Sequence, residues 1–264
     1  MTENAHVRSF GEQTRARVCV PYATRHDGPQ MSSLAIEPRA RRASDRACID
    51  CPASRTQCFV GAVGAGASSC RWVKCTLSAR APIPASWARD HAIALVRRGV
   101  LVRTRSGKQG ATVAIDCVGP GAGSPLAAAR DDVGYAATDA LVCLYPRVGM
   151  DDALTTERGT ARDAITLISR ALDRVERLAQ ARGGATLDAR VASVIAVIAE
   201  TSSPPHRRER LPSGLQQRDL ARLAGVRHES FCRALGRLER SGIVLRETDG
   251  LWIRDHEALV SFGE

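Results

Sequence analysis

Residues 215–254 read LQQRDLARLAGVRHESFCRALGRLERSGIVLRETDGLWIR, and the local signals along this stretch decide how the C-terminal part folds. Leu215–Ala224 is a short amphipathic helix. Gly225-Val226 makes a tight turn, with glycine free to take a positive φ. His228–Arg240 is a second helix, with Phe231, Leu235 and Leu238 on its inner face and Glu229, Cys232, Arg233, Arg237 and Arg240 outside. After Ser241-Gly242, the runs Ile243–Arg246 and Leu251–Arg254 flank the turn Thr248-Asp249-Gly250 and predict a hairpin. Helix, turn, helix and hairpin together predict a winged helix-turn-helix.

A major groove about 12 Å wide admits one helix, whose N-terminal side chains then reach base edges. Here His228, Glu229, Cys232 and Arg233 hold those places, with Arg227 and Arg237 as further basic contacts. Arginine pairs bidentately with guanine, and glutamate accepts from the cytosine amino group. The other reading of the same pattern is a winged helix used for protein contacts, its arginines a solvated face. The whole chain has 38 Lys and Arg against 28 Asp and Glu, a net charge of +10, which suits an anionic partner. Nearly all of that charge is arginine, Lys74 and Lys108 being the lysines, as a GC-rich genome would also give.

Upstream, Leu154, Ala161, Ile165, Ile168, Leu172, Val175 and Ala179 recur at heptad spacing within a helix predicted over Leu154–Arg182. Such a stripe needs a cover, either a partner helix in a homodimer or the chain's own upstream domain. Gly183-Gly184 ends this helix, Leu187–Ala199 forms a shorter apolar one, and Ser202-Ser203-Pro204-Pro205 breaks the chain. Ile93–Val96, Val100–Arg105, Thr112–Cys117 and Leu141–Tyr145 read as short strands between turn signals, as in a small barrel or sandwich. Residues 1–47 show little periodicity and read as a disordered extension. No apolar run reaches the roughly 18 residues of a membrane span. Met1–Phe10 lacks the apolar core of a signal peptide, which points to the cytoplasm. No Ser/His/Asp or paired-carboxylate arrangement suggests catalysis, so the chain is not read as an enzyme.

The run Asp219-Leu220-Ala221, Ala224-Gly225-Val226, Glu229-Ser230, Arg233 and Leu238–Ile243 resembles the DNA-binding signature of the Crp/Fnr family of bacterial transcription regulators. The resemblance implies an α+β fold. A small jelly-roll (cyclic-nucleotide-binding-like) β-barrel, a long dimerisation helix and a C-terminal winged helix-turn-helix would follow one another. The domains would be 1–47 (extension), 48–150 (sensor barrel with its cysteine segment), 151–200 (dimerisation and connecting helices) and 201–264 (DNA-binding domain). It further implies a homodimer on a palindromic operator in double-stranded DNA, with RNA polymerase as a partner and no membrane association. In this family a Glu and an Arg four residues apart read a G·C pair in a TGA-like half-site, and Glu229 and Arg233 match them. Gln216 and Arg227 stand where the family has Ser or Thr as helix caps, and losing a cap costs ~1 kcal/mol. The family's cyclic-nucleotide receptors carry a Gly-Glu pair and a phosphate-holding Arg. Here Gly119–Leu126 and Asp131–Ala137 offer no such Arg and add Asp131 and Asp132, which argues against cyclic nucleotides.

Nine cysteines in a chain without a secretory signal point to metal ligands, redox thiols or small buried hydrophobes rather than disulfides. Cys48, Cys51 and Cys58 form a C-x2-C-x6-C run that suits an iron–sulfur cluster or zinc but is one ligand short. The Fnr branch is similar, with three N-terminal cysteines and a fourth on a barrel strand binding a 4Fe-4S cluster. Cys143, in Leu141–Pro146, falls at the matching place. The resemblance therefore implies a cluster on Cys48, Cys51, Cys58 and Cys143, sensitive to oxygen or nitric oxide. The third spacing is x6 where the branch has x5, and Cys70 and Cys75 sit near enough to substitute. A thiol-redox or degenerate, ligand-free regulator of the same type without a cluster and, more remotely, an iron–sulfur electron carrier are the competing readings. Cys117 reads as a buried small hydrophobe.

Overall fold

The apolar runs around Ile93–Val96 and Val142–Tyr145 lack the polar alternation of a strand with one wet face, because the sheet that holds them is covered on both faces. The computed structural model describes residues 73–106, 112–126, 132–148, 150–156, 158–202, 210–248 and 250–262. Strand β1 (Val73–Leu77) leads to a short helix α1 (Ala85–Asp90). Then come β2 (His91–Arg98), β3 (Leu101–Ser106), β4 (Thr112–Val118), β5 (Gly123–Pro125), β6 (Asp132–Ala136) and β7 (Ala140–Pro146). They form a four-stranded sheet in the order β1-β7-β2-β5 and a three-stranded sheet in the order β4-β3-β6. All pairings are antiparallel. Ala94, Val96, Val142 and Leu144 pack between the sheets with Cys75, Leu77, Trp87, Leu101, Val118 and Ala136. This is the jelly-roll barrel expected from the sequence.

The other face of the four-stranded sheet carries Ile93, Leu95, Cys143 and Tyr145, and a long helix covers it through Ala164 and Leu167. That helix, α3 (Arg158–Arg182), follows α2 (Met150–Thr156). Leu167 approaches so closely that a Cβ on Gly123 would stand 2.4 Å from its Cδ1, so only glycine fits that place on β5. Further along, Arg174 enters the barrel wall. Its Nε donates to Asp116 Oδ1 at 2.6 Å, and its Nη2 donates to Asp116 Oδ2 and to the Gly123 carbonyl, both at 3.0 Å.

The heptad stripe faces elsewhere. Ala164, Leu167, Ala171, Arg174, Leu178 and Ala181 are the buried positions of α3, while Ile165, Ile168 and Leu172 are 66%, 48% and 56% exposed. The barrel therefore takes one face of the helix and leaves Ile165, Ile168 and Leu172 of the predicted seam uncovered within a single chain, whereas Leu154, expected at the start of that seam, lies on α2 and packs against the barrel-side cluster.

Helix α4 (Leu187–Ser202) is apolar nearly all round, and its buried residues from Val191 to Ala199 form the centre of the C-terminal core. Around it lie α5 (Gln217–Ala224), α6 (His228–Arg240), the hairpin β8 (Val244–Glu247) and β9 (Gly250–Ile253), and α7 (His256–Ser261). The connecting helix expected upstream of this domain is thus a member of its core. The same core takes in Val100, Val102, Ala114, Cys117 and Ala137 from the outer face of the three-stranded sheet. Barrel and C-terminal module share one apolar contact.

Candidate nucleic-acid interface

Helix α6 forms over the residues that its amphipathic period predicts. Phe231, Ala234, Leu235 and Leu238 are buried. The turn before it depends on Gly225 at φ 66°, whose N–H bonds the Arg222 carbonyl at 3.2 Å. Val226 N–H returns to Ala221 at 3.0 Å, which closes the α5 C-terminus. Arg227, the residue before α6, makes no side-chain cap, as its residue type implies. At α5 the outcome differs. Gln216 is a poor cap by residue type, but its backbone N–H donates to Asp219 Oδ2 at 3.0 Å, so the carboxylate three residues on supports the helix start.

The sequence-predicted DNA contacts divide into two groups. Arg227, His228, Glu229 and Arg233 are exposed at the N-terminal end of α6, on the side facing away from the core. Arg233 Nη2 lies 3.5 Å from Ser230 Oγ. Cys232 turns toward α5, where its Sγ donates to Gln217 Oε1 at 3.1 Å, and His228 Nε2 lies 3.6 Å away. Arg237 is drawn back onto Asp188 of α4, with Nε to Oδ2 at 2.6 Å. That hydrogen bond holds its pKa above the ordinary arginine value. Arg237 thus ties the second helix to α4, a role its sequence neighbours do not announce. The hairpin is fastened likewise: Arg246 on β8 grips both carboxylate oxygens of Glu239 on α6 at 2.5 Å.

Asp219 carries no site signal in the sequence beyond its place in a motif. It is fully buried where α5 meets the barrel. Its Oδ1 accepts from Arg80 Nη1 at 2.7 Å and from the Tyr135 hydroxyl at 2.8 Å. Desolvation, with the neighbouring Asp219, pushes the Tyr135 pKa up to about 12, so it remains a donor. The Tyr135 ring has the Arg80 guanidinium 6.0 Å and the Arg222 guanidinium 5.7 Å from its centroid. From α3, Arg182 Nε donates to the Leu223 carbonyl at 2.6 Å, at the C-terminal end of α5.

Of the expected cluster ligands, Cys48, Cys51 and Cys58 lie outside the described residues, as do Cys70 and the extension 1–47. Cys143 is 7% exposed, on the sheet face toward α3. Cys75 pairs across β1 and β7 with Val142 and packs in the barrel interior, so it faces the opposite side of the sheet from Cys143. Cys117 is fully buried, as expected. Among the described residues no group of three or more His, Cys, Asp or Glu could hold a metal ion. Inside the barrel, a cleft is lined by Trp87, Leu101, Arg103, Ser124 and Leu126. Arg103 Nη1 donates to Ser124 Oγ there at 3.0 Å and lies 3.7 Å from Asp116. Among the described residues, no helix is long and apolar enough to cross a membrane.

Residues 189–262 match the Crp-like helix-turn-helix domain family. No curated protein matches the chain. Among solved structures, FixK2 from Bradyrhizobium japonicum is 18% identical with a TM-score of 0.60, the match covering 73% of this chain and 98% of that one. A CooA variant from Carboxydothermus hydrogenoformans is 12% identical with a TM-score of 0.57, covering 74% and 88%. A CRP/FNR-family transcriptional regulator from Thermus thermophilus is 18% identical with a TM-score of 0.51, covering 72% and 97%. A Crp-like helix-turn-helix domain at residues 189–262, set in the fold of the CRP/FNR regulators, is therefore what this chain carries.

Proposed function

We propose that the chain is a homodimeric transcription regulator that reads a palindromic operator and is switched by a 4Fe-4S cluster sensitive to oxygen or nitric oxide. One observation carries the DNA-binding half: the outward end of α6, with His228, Glu229 and Arg233, is exposed in the same chain whose Ile165, Ile168 and Leu172 form an uncovered stripe on α3. Pairing two chains along that stripe covers it and presents two recognition helices related by a two-fold axis. A dimer then grips two half-sites one DNA turn, ~34 Å, apart. Release of phosphate counterions makes such binding fall steeply with salt. The reading is regulatory rather than enzymatic, in the cytoplasm, with RNA polymerase as the downstream partner.

The sensing half rests on Cys48, Cys51 and Cys58 with Cys143. A bound 4Fe-4S cluster would supply an inorganic core that oxygen or nitric oxide attacks. Support comes from the position of Cys143, packed with Ala164 and Leu167 of α3. Whatever is fastened to that sulfur bears on the helix that carries the stripe. Cys75, on the opposite face of the sheet, is the weaker candidate for the fourth ligand.

Two measurements test this reading. Selection from random duplex DNA should return a palindrome, and the protein should run as a dimer. Anaerobically purified protein should carry iron and acid-labile sulfide near four each per chain, with a visible absorption that bleaches in air. Colourless, iron-free anaerobic protein that still selects a palindrome would remove the cluster and leave the regulator.

A further inference from the structure

The one described non-glycine residue with a positive φ is Arg80, at 71°, in the turn that follows β1. A left-handed backbone at such a residue is strained and persists where the surroundings demand it. Here they demand a particular side-chain position. Arg80 N–H is held by the Ala136 carbonyl at 2.7 Å, and its guanidinium reaches 139 residues along the chain to Asp219. Asp219 sits at the start of α5. Its two oxygens accept from Arg80, from the Tyr135 hydroxyl and from the backbone at Gln216. A carboxylate with no exposure needs each of those donors. The partners come from two separate pieces of the barrel, the turn after β1 and strand β6. Arg222 of α5 also stands beside the Tyr135 ring, its guanidinium 5.7 Å from the centroid.

We propose that Arg80 and Tyr135 are positioning residues for DNA reading: through Asp219 they fix α5, and with it the recognition helix α6, on the sensor barrel in the orientation that engages a two-fold operator. The proposal rests on the DNA-binding reading above and adds residues outside the helix-turn-helix to it. Helices α5 and α6 move together, because the Gly225 turn and the contact between Cys232 and Gln217 join them. With the clasp closed, the reading end of α6 and the stripe on α3 are both exposed, so the clasped arrangement is compatible with dimer and DNA at once. A dimer gains over a single half-site only if its second helix is already aimed, and a module loosened from the barrel loses that gain.

The test uses the full-length dimer and the palindrome that wild-type protein selects from random DNA. Binding to that duplex and to a duplex holding one half-site is measured for wild type, Arg80→Ala, Tyr135→Phe and Arg80→Lys, with dimer mass and far-UV circular dichroism as checks. Arg80→Ala and Tyr135→Phe should weaken palindrome binding roughly 10- to 100-fold while half-site affinity and dimer mass stay unchanged. Arg80→Lys, which keeps a cation opposite Asp219, should recover most of the loss. Unchanged palindrome affinity in both variants overturns the positioning role, as does tighter binding, which would make the clasp a brake. Equal loss on the half-site overturns it too, since that marks damage within α5 and α6. Wild-type protein that selects no palindrome overturns the DNA-binding reading, and the positioning role with it.

Discussion

Arg174 of the long helix and Asp116 of strand β4 meet in a two-point ion pair inside the molecule, at 4% and 0% side-chain exposure. Desolvation pulls the arginine's pKa down, yet the facing carboxylate outweighs it and holds it above the ordinary value. The guanidinium faces the carboxylate where water does not reach. Arg174→Ala strands a buried carboxylate, and breaking such a pair costs about 3–5 kcal/mol. Arg103, 3.7 Å from Asp116, blunts the loss without replacing the two-point geometry. Urea unfolding should show the drop. The double variant Arg174→Met, Asp116→Leu should lose less than Arg174→Ala alone, because no charge is then left unpaired.

Leu172→Glu places a carboxylate in the middle of the uncovered stripe, where it is 56% exposed in one chain. Sedimentation should show a dimer turning into a monomer, with helix content retained, because the barrel-facing side of α3 is untouched. A variant that remains a dimer would put the subunit contact elsewhere.

The two arginines of α6 should behave differently. Arg233→Ala, at the exposed reading end, should cost ~1–3 kcal/mol at the cognate site and leave the melting temperature unchanged. Arg237→Ala, which removes the bond to Asp188, should lower the melting temperature more than it alters discrimination between operator and random DNA. Melting curves beside binding isotherms separate the two effects.

Cys143→Ala should abolish iron binding in anaerobically purified protein, and Cys75→Ala should preserve it, because the two sulfurs lie on opposite faces of the sheet. Iron counted per chain decides. Retention in Cys143→Ala with loss in Cys75→Ala would reverse the assignment.

Tyr135 gives the clasp a pH limit. An unfolded tyrosine loses its proton near 10, whereas Tyr135 keeps its own to about 12. Between those values the folded chain binds more protons than the unfolded one, so stability falls as pH rises. Tyr135→Phe should flatten that part of the curve. Unfolding between pH 9 and 12, alongside tyrosinate absorbance, checks both the sign and the window.

What was legible in the sequence was what neighbouring residues decide. Helix α6 could be read at its true ends, His228 and Arg240, because a 3.6-residue apolar period and a glycine turn are local signals. The stripe Ile165, Ile168 and Leu172 was legible for the same reason. The strand runs could be recognised, but not the insertion of β7 between β1 and β2, because pairing across dozens of residues leaves no local trace. Strand β1, reading VKCTL, is too short and too mixed amid its cysteines to announce itself. Arg237 resembles its neighbours on the reading face until Asp188, 49 residues upstream, is seen beside it. The clasp between Arg80 and Asp219 joins residues from separate domains, and nothing near either one marks it.

Helix α3 is a single stiff rod with two clients. Leu167 is seated in the notch at Gly123, and Arg174 is pinned one face away from Ile168 and Leu172. Sliding along its axis would drive Leu167 into the strand backbone, and a large roll would pull Arg174 off Asp116, so both anchors limit the helix to small rotations. A roll by one residue's arc, about 100°, would carry the apolar stripe out of its seam altogether. A modest twist imposed by the sensing domain would therefore reach the partner subunit as a change in how well two stripes mesh. On the proposed reading, gearing of that kind would let a small chemical event at one end of the molecule decide whether the other end acts singly or in pairs.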